Sequence, residues 1–107
     1  TISPAVSDST IFTVENSFLL AWNLETRALD VWDSPFQAES PITTAPAVAD
    51  GVIYFGTQQG VVHAVDAENG ESLWTFEVGE PIFGGPVVTA NAIFVITTQE
   101  IISIAGE

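Results

Sequence analysis

Residues 46–76 read PAVADGVIYFGTQQGVVHAVDAENGESLWTF, four short runs rich in β-branched and aromatic residues separated by polar, glycine-bearing turns. Ala47-Val48 opens the series, and Asp50-Gly51 turns into Val52-Ile53-Tyr54-Phe55. Gln58-Gln59-Gly60 leads into Val61-Val62-His63-Ala64-Val65, and Glu68-Asn69-Gly70 into Ser72-Leu73-Trp74-Thr75-Phe76. Loops of hairpin length, with glycine where the backbone needs positive φ, make these runs one antiparallel four-stranded sheet.

Outward from this stretch the pattern returns. Pro46-Ala47-Val48 has counterparts in Pro4-Ala5-Val6, 42 residues earlier, and in Pro86-Val87-Val88, 40 residues later. The first copy continues through Ile11–Val14 and Leu19–Trp22 to an outer strand expected at Leu29-Asp30-Val31-Trp32. The third runs through Ile93–Ile96 and Ile101–Ile104 and shows no fourth strand. Pro41-Ile42 and Pro81-Ile82 stand at matching places before the second and third copies. A period of this length marks stacked supersecondary units, none of which can bury its apolar face alone. The fold expected is all-β: consecutive four-stranded antiparallel propeller-type blades in a single repeat domain, 1–107. Its parts are repeat one at 3–42, repeat two at 43–82 and a partial repeat three at 83–107, about 2.7 repeats. Closed propellers use about four to eight blades, so this is an incomplete propeller, either an excerpt of a longer ring or one of several copies that assemble.

The run Ala64-x-Asp66-x-x-x-Gly70-x-x-x-Trp74 resembles the tryptophan-docking motif of the PQQ-like (pyrroloquinoline-quinone-type) β-propeller repeat family. Pro46-x-Val48-x-x-Gly51-x-Ile53-Tyr54-x-Gly56 resembles the first half of the same repeat. The resemblance implies that Ala64, Asp66, Gly70 and Trp74 form a structural docking motif, with Trp74 buried between adjacent sheets. In the first copy Asn23 and Arg27 stand where the Asp and Gly would be, and the Ala21–Trp32 segment is one residue longer. Quinone-dependent enzymes of the family hold a Ca²⁺-bound quinone beside a vicinal disulfide. This sequence contains no cysteine, so no cofactor is expected.

Composition narrows the partners. One basic residue, Arg27, faces fourteen acids, for a net charge of −13, and 47% of the residues are apolar. Nucleic acid and anionic membranes bind through basic patches, which a single arginine cannot supply. The apolar stretch Ala92–Ala105 is interrupted by Thr97-Thr98-Gln99-Glu100 and is too short to insert in a membrane as a helix. Self-repulsion should make the fold more stable in salt, and scarce lysine with abundant acid suits a halophilic setting.

No catalytic or metal constellation stands out. His63 is the lone imidazole, and aligned with Ala21 and Ser103 it reads as a structural residue on a tolerant face. Asp66–Glu71 resembles half of an EF-hand loop without its helical flanks or distal Glu, and is read as a turn. Glu15, Glu25, Asp33, Glu39, Glu77 and Glu80 are read as solvated surface. The last strand, Ile101, Ile102, Ser103 and Ile104, lacks an outer neighbour, with only Glu100 and Glu107 as gatekeepers, and is the expected association edge. The function expected is a non-catalytic interaction or scaffold module at the cell surface or in the periplasm, bound to a protein partner or to further copies of itself. A subunit polymerising head to tail and a fragment of a quinone-dependent dehydrogenase are the alternatives.

Overall fold

A computed structural model describes residues 4–29, 31–90, 92–97 and 99–105. Strands β1 (Ala5–Ser7), β2 (Thr10–Glu15), β3 (Phe18–Asn23) and β4 (Phe36–Gln37) form the first sheet in sequence order. The second sheet, also in order, holds β5 (Ala47–Ala49), β6 (Val52–Gly56), β7 (Val61–Asp66) and β8 (Ser72–Glu77). The third has β9 (Ile82–Val88), β10 (Ala92–Thr97) and β11 (Ile101–Ala105). All pairings are antiparallel, and β1 touches β5 as β5 touches β9, so the first strands of the three sheets lie together. No helix among the described residues is long and apolar enough to cross a membrane.

Side chains alternate across each strand, and the second sheet is therefore apolar on both faces. Ile53, Phe55 and Val65 project toward the first sheet and close a core with Phe12, Leu19, Ala21, Trp32 and Ile42. Tyr54 and Val62 project the other way, into a second core with Ile82, Ile93, Val95 and Ile104. Ile42 and Ile82, which follow the matching prolines, are buried one in each core. At Gly56 a Cβ would lie 2.6 Å from the Ile82 side chain, so the close approach of the second and third sheets requires the glycine.

Two elements differ from the sequence reading. The outer strand of the first sheet is Phe36–Gln37, paired with Leu19 and Phe18, and not the Leu29–Trp32 segment. Trp32 lies in a bend with its indole turned inward, and Asp33-Ser34-Pro35 returns the chain to the sheet edge; Asp30 falls outside the described residues. The third sheet begins at Ile82, earlier than Val87, through a strand with register shifts around Phe94–Thr97.

Candidate functional site

Three places could carry function: the joint between the first two sheets, a buried polar cluster in the connector, and the open edge of the third sheet.

The joint is built from two turns of one design. In the second sheet Asp66 Oδ1 accepts from Glu68 N at 2.9 Å, Gly70 N donates to Asp66 O at 2.8 Å and Ala67 N to Gly51 O at 2.9 Å. In the first, Asn23 Oδ1 accepts from Glu25 N at 2.8 Å, Arg27 N donates to Asn23 O at 2.6 Å and Leu24 N to Ser9 O at 2.8 Å. Asn23 thus does the work of Asp66, because either side chain offers the acceptor an Asx turn needs. Arg27 adopts φ +62° where Gly70 adopts +78°. The tryptophan that seats on Gly70 is Trp32, from the preceding copy. Its indole Nε1 donates to Ala67 O at 2.9 Å, a Cβ on Gly70 would lie 2.6 Å from its ring, and only 7% of the residue is exposed. Trp74 pairs with Ala64 across β7 and β8 and is half-buried, against the second core and 6.0 Å from the Tyr54 ring. Turn, glycine and tryptophan therefore act across neighbouring copies, a link that spacing within one copy does not reveal.

The polar cluster centres on His63, which is 6% exposed on β7, stacked on Phe55 at 5.1 Å and edge-on to Phe36. The tolerant-face reading is corrected here. The two Asx turns align Asn23 with Asp66, which sets His63 in the place of Leu20, not Ala21. Glu39, read as solvated surface, reaches in from the connector: its Oε1 accepts from His63 Nε2 at 2.8 Å, its Oε2 from Thr57 Oγ1 at 2.6 Å and Ser40 Oγ at 2.8 Å. Burial pushes the Glu39 carboxyl up, but hydrogen bonds from Thr57, His63, Ser40 and its own backbone outweigh this and hold it below the ordinary value. His63 Nδ1 is buried without a partner. A nucleophile–base pair needs a hydroxyl on the imidazole nitrogen that faces away from the carboxylate. Here the nearby hydroxyl of Thr57 bonds the carboxylate itself, so the cluster ties the connector to β7. Only a pairing 24 residues apart in sequence creates it, and no local pattern announces Glu39.

At the third site β11 pairs with β10 alone, through Ile101↔Ile96, Ile102↔Val95, Ser103↔Phe94 and Ile104↔Ile93, leaving its outer side without a strand among the described residues. Ile102 and Ile104 face the second core, while Ile101 is 69% exposed and Ser103 also lies in the open. Phe83, Val87 and Ile96 extend the exposed apolar face of this sheet. Glu107 lies outside the described residues.

Between the first two sheets a cleft of about 580 Å³ is bordered by Asp8, Asp50, Asp66 and Glu68. Among the described residues no three His, Asp or Glu side chains converge as metal ligands, and the sequence offers no thiol. The described side chains therefore do not by themselves form a ligand set for a Ca²⁺-bound quinone.

Residues 25–106 match the family profile described as outer membrane protein assembly factor BamB. A 51-residue stretch is 35% identical to 1-butanol dehydrogenase (cytochrome c) of Thauera butanivorans, covering 48% of this chain and 7% of that protein. Another of 49 residues is 41% identical to the outer membrane protein assembly factor BamB of Alkalilimnicola ehrlichii, covering 46% of this chain and 13% of that one. The crystal structure of BamB from Moraxella catarrhalis superposes with a TM-score of 0.78 at 19% identity, over 97% of this chain and 31% of that structure. The chain thus spans a small part of each relative, and the structural likeness establishes the propeller-blade fold.

Proposed function

From the premise that this chain belongs to the PQQ-like β-propeller family described as outer membrane protein assembly factor BamB, we propose that it is a non-catalytic protein-interaction module, acting at the cell surface or in the periplasm. The observation that carries the reading is that, among the described residues, no strand pairs with the outer side of β11, a place open to a later segment of a longer chain, a partner or a further copy. A strand edge with unpaired amides and carbonyls recruits an extended segment by main-chain hydrogen bonding, and alternate side chains of that segment meet the adjoining apolar surface. The blade's own design says what fits: a strand like β8, which occupies the equivalent fourth place in the second sheet.

The 1-butanol dehydrogenase relative matches part of this repeat, but among the described residues no three His, Asp or Glu side chains converge, and the hydroxyls of Thr57 and Ser40 beside His63 are bonded to the Glu39 carboxylate. A second reading, self-association through the same edge, is favoured by the exposure of Phe83, Val87, Ile96 and Ile101.

The test is fluorescence anisotropy with a labelled peptide of the β8 sequence, Ser-Leu-Trp-Thr-Phe-Glu. Saturable 1:1 binding that Ser103→Pro removes and Phe18→Ser leaves intact is expected; binding unaffected by Ser103→Pro, or none, overturns the reading. Sedimentation of the unliganded chain over a wide concentration range separates the two forms of the proposal.

A further inference from the structure

The turn between β7 and β8 holds a reactive pair that neither the interaction reading nor the strand ladders use. Asn69 and Gly70 are adjacent there, and Asn69 is exposed. An asparagine amide followed by glycine is open to attack by the glycine's backbone nitrogen, because no Cβ shields that nitrogen. In the first sheet the same place in the turn is filled by Thr26-Arg27, which offers no side-chain amide. Glycine is obligatory in the second, since a Cβ on Gly70 would lie 2.6 Å from the Trp32 ring. The contact that seats the tryptophan therefore also sets the Asn69 amide beside an unshielded nucleophile.

Hydrogen bonds hold the pair unreactive in the closed turn. Gly70 N donates to Asp66 O at 2.8 Å, and Glu71 N donates to Asn69 Oδ1 at 3.0 Å. Asp66 N donates in turn to Glu71 O at 2.8 Å, so the turn is tied at both ends. For Gly70 N to reach Asn69 Cγ, its proton must leave Asp66 O and the Asn69 side chain must give up Glu71 N. Trp32 opposes both movements. Its ring rests on Gly70, and its Nε1 donates at 2.9 Å to Ala67 O, inside the same turn. Freeing the pair therefore requires the indole to lift.

We propose that Asn69 is a site of spontaneous covalent modification whose access is governed by the Trp32 joint. When the joint opens, the Gly70 backbone nitrogen bonds to Asn69 Cγ, the Cγ–Nδ2 bond breaks, and ammonia departs with the proton that Gly70 N loses. Water then opens the succinimide ring at either carbonyl, giving aspartate or isoaspartate. Both products add a negative charge beside Asp66, Glu68 and Glu71. Isoaspartate also lengthens the backbone by a methylene, so Gly70 no longer lies in register under the indole and the joint cannot reclose. The amide is not regained, and the modification marks chains whose first two sheets have parted.

The experiment is ageing of the full chain at neutral pH, followed by peptide-mapping mass spectrometry. Asn69 in the folded chain should react at about one-tenth the rate of a free peptide of residues 65–73 or less, as expected of a group released only by local opening. Trp32→Phe keeps an aromatic ring and loses the bond to Ala67 O. It should speed the reaction at Asn69 about two- to tenfold, the margin of one neutral hydrogen bond, and leave Asn16 in the turn between β2 and β3 unchanged. The isoaspartyl chain, separated by ion exchange, should show a Trp32 indole N–H that exchanges freely with solvent. A folded chain that reacts as fast as the peptide overturns the proposal, as does a Trp32→Phe chain with no acceleration at Asn69. Equal acceleration at Asn16 and Asn69 also overturns it, because general loosening and not the joint would then set the rate. So does an isoaspartyl chain whose Trp32 indole N–H stays protected.

Discussion

Trp32 and Gly70 form a single joint although they belong to different copies of the repeat. The indole is buried, hydrogen-bonded to Ala67 O and pressed on a glycine whose place no other residue can take without a clash. Trp74 is only half-buried, against the second core. Trp32→Ala should cost about 3–5 kcal/mol, as large aromatic truncations in cores do, and Trp74→Ala clearly less, measured by urea unfolding. Equal costs, or a larger one at Trp74, would contradict the joint as described. The residue types were legible: Ala64, Asp66, Gly70 and Trp74 stand at the family spacing. Their connectivity was not, because a repeat motif read within one copy cannot show that its glycine serves the tryptophan of the copy before. For the same reason Arg27, which stands where the glycine of the first copy would be, bears on a different joint. It lies on the first sheet's own turn and leaves the docking of Trp32 untouched.

The connector between the first two sheets has no regular structure yet fixes three elements together. Glu39 and Ser40 hold β7 and Gln59, Thr44 Oγ1 accepts from Gly56 N at 3.0 Å, and Thr43 Oγ1 donates to Ile82 O at the start of β9. Because the Glu39 carboxyl is held below 4.5 in the folded chain, its contribution to stability is present above that ordinary value and fades as pH falls through the depressed one. Glu39→Gln should therefore lower the melting temperature at pH 7, and the gap to the parent chain should narrow as pH falls below the ordinary carboxyl value of 4.5 and through the depressed one. A gap constant from pH 7 to pH 3 would show that the carboxylate charge plays no part. The strands of the second sheet were readable because glycine and Asx turns bound every one of them. The outer strand of the first was not. One additional residue after Ala21 and a proline at 35 shift the pairing to Phe36, and an inward-turned Trp32 has the same composition as a strand tryptophan.

For the molecule as a whole, three stacked sheets with two apolar seams carry fourteen acids and one cation, a net charge of −13. Screening over a Debye length of about 8–10 Å should relieve that repulsion, so the melting temperature should rise between low and molar KCl; no change would remove self-repulsion from the account. The period of about 40 residues made the blade architecture legible. What occupies the outer side of β11 is not written in the periodicity, because an edge strand and a paired one share the same alternation. In the proposed function this edge accepts a strand. Residue-resolved hydrogen exchange across 101–104, with and without the β8 peptide, tests it most directly. The outward-facing amides of β11 should exchange freely in the chain alone and become protected when the peptide binds, with β4 and β8 unchanged. Protection of those amides before any peptide is added, at a concentration where the chain is monomeric, or protection appearing at another edge, would contradict it.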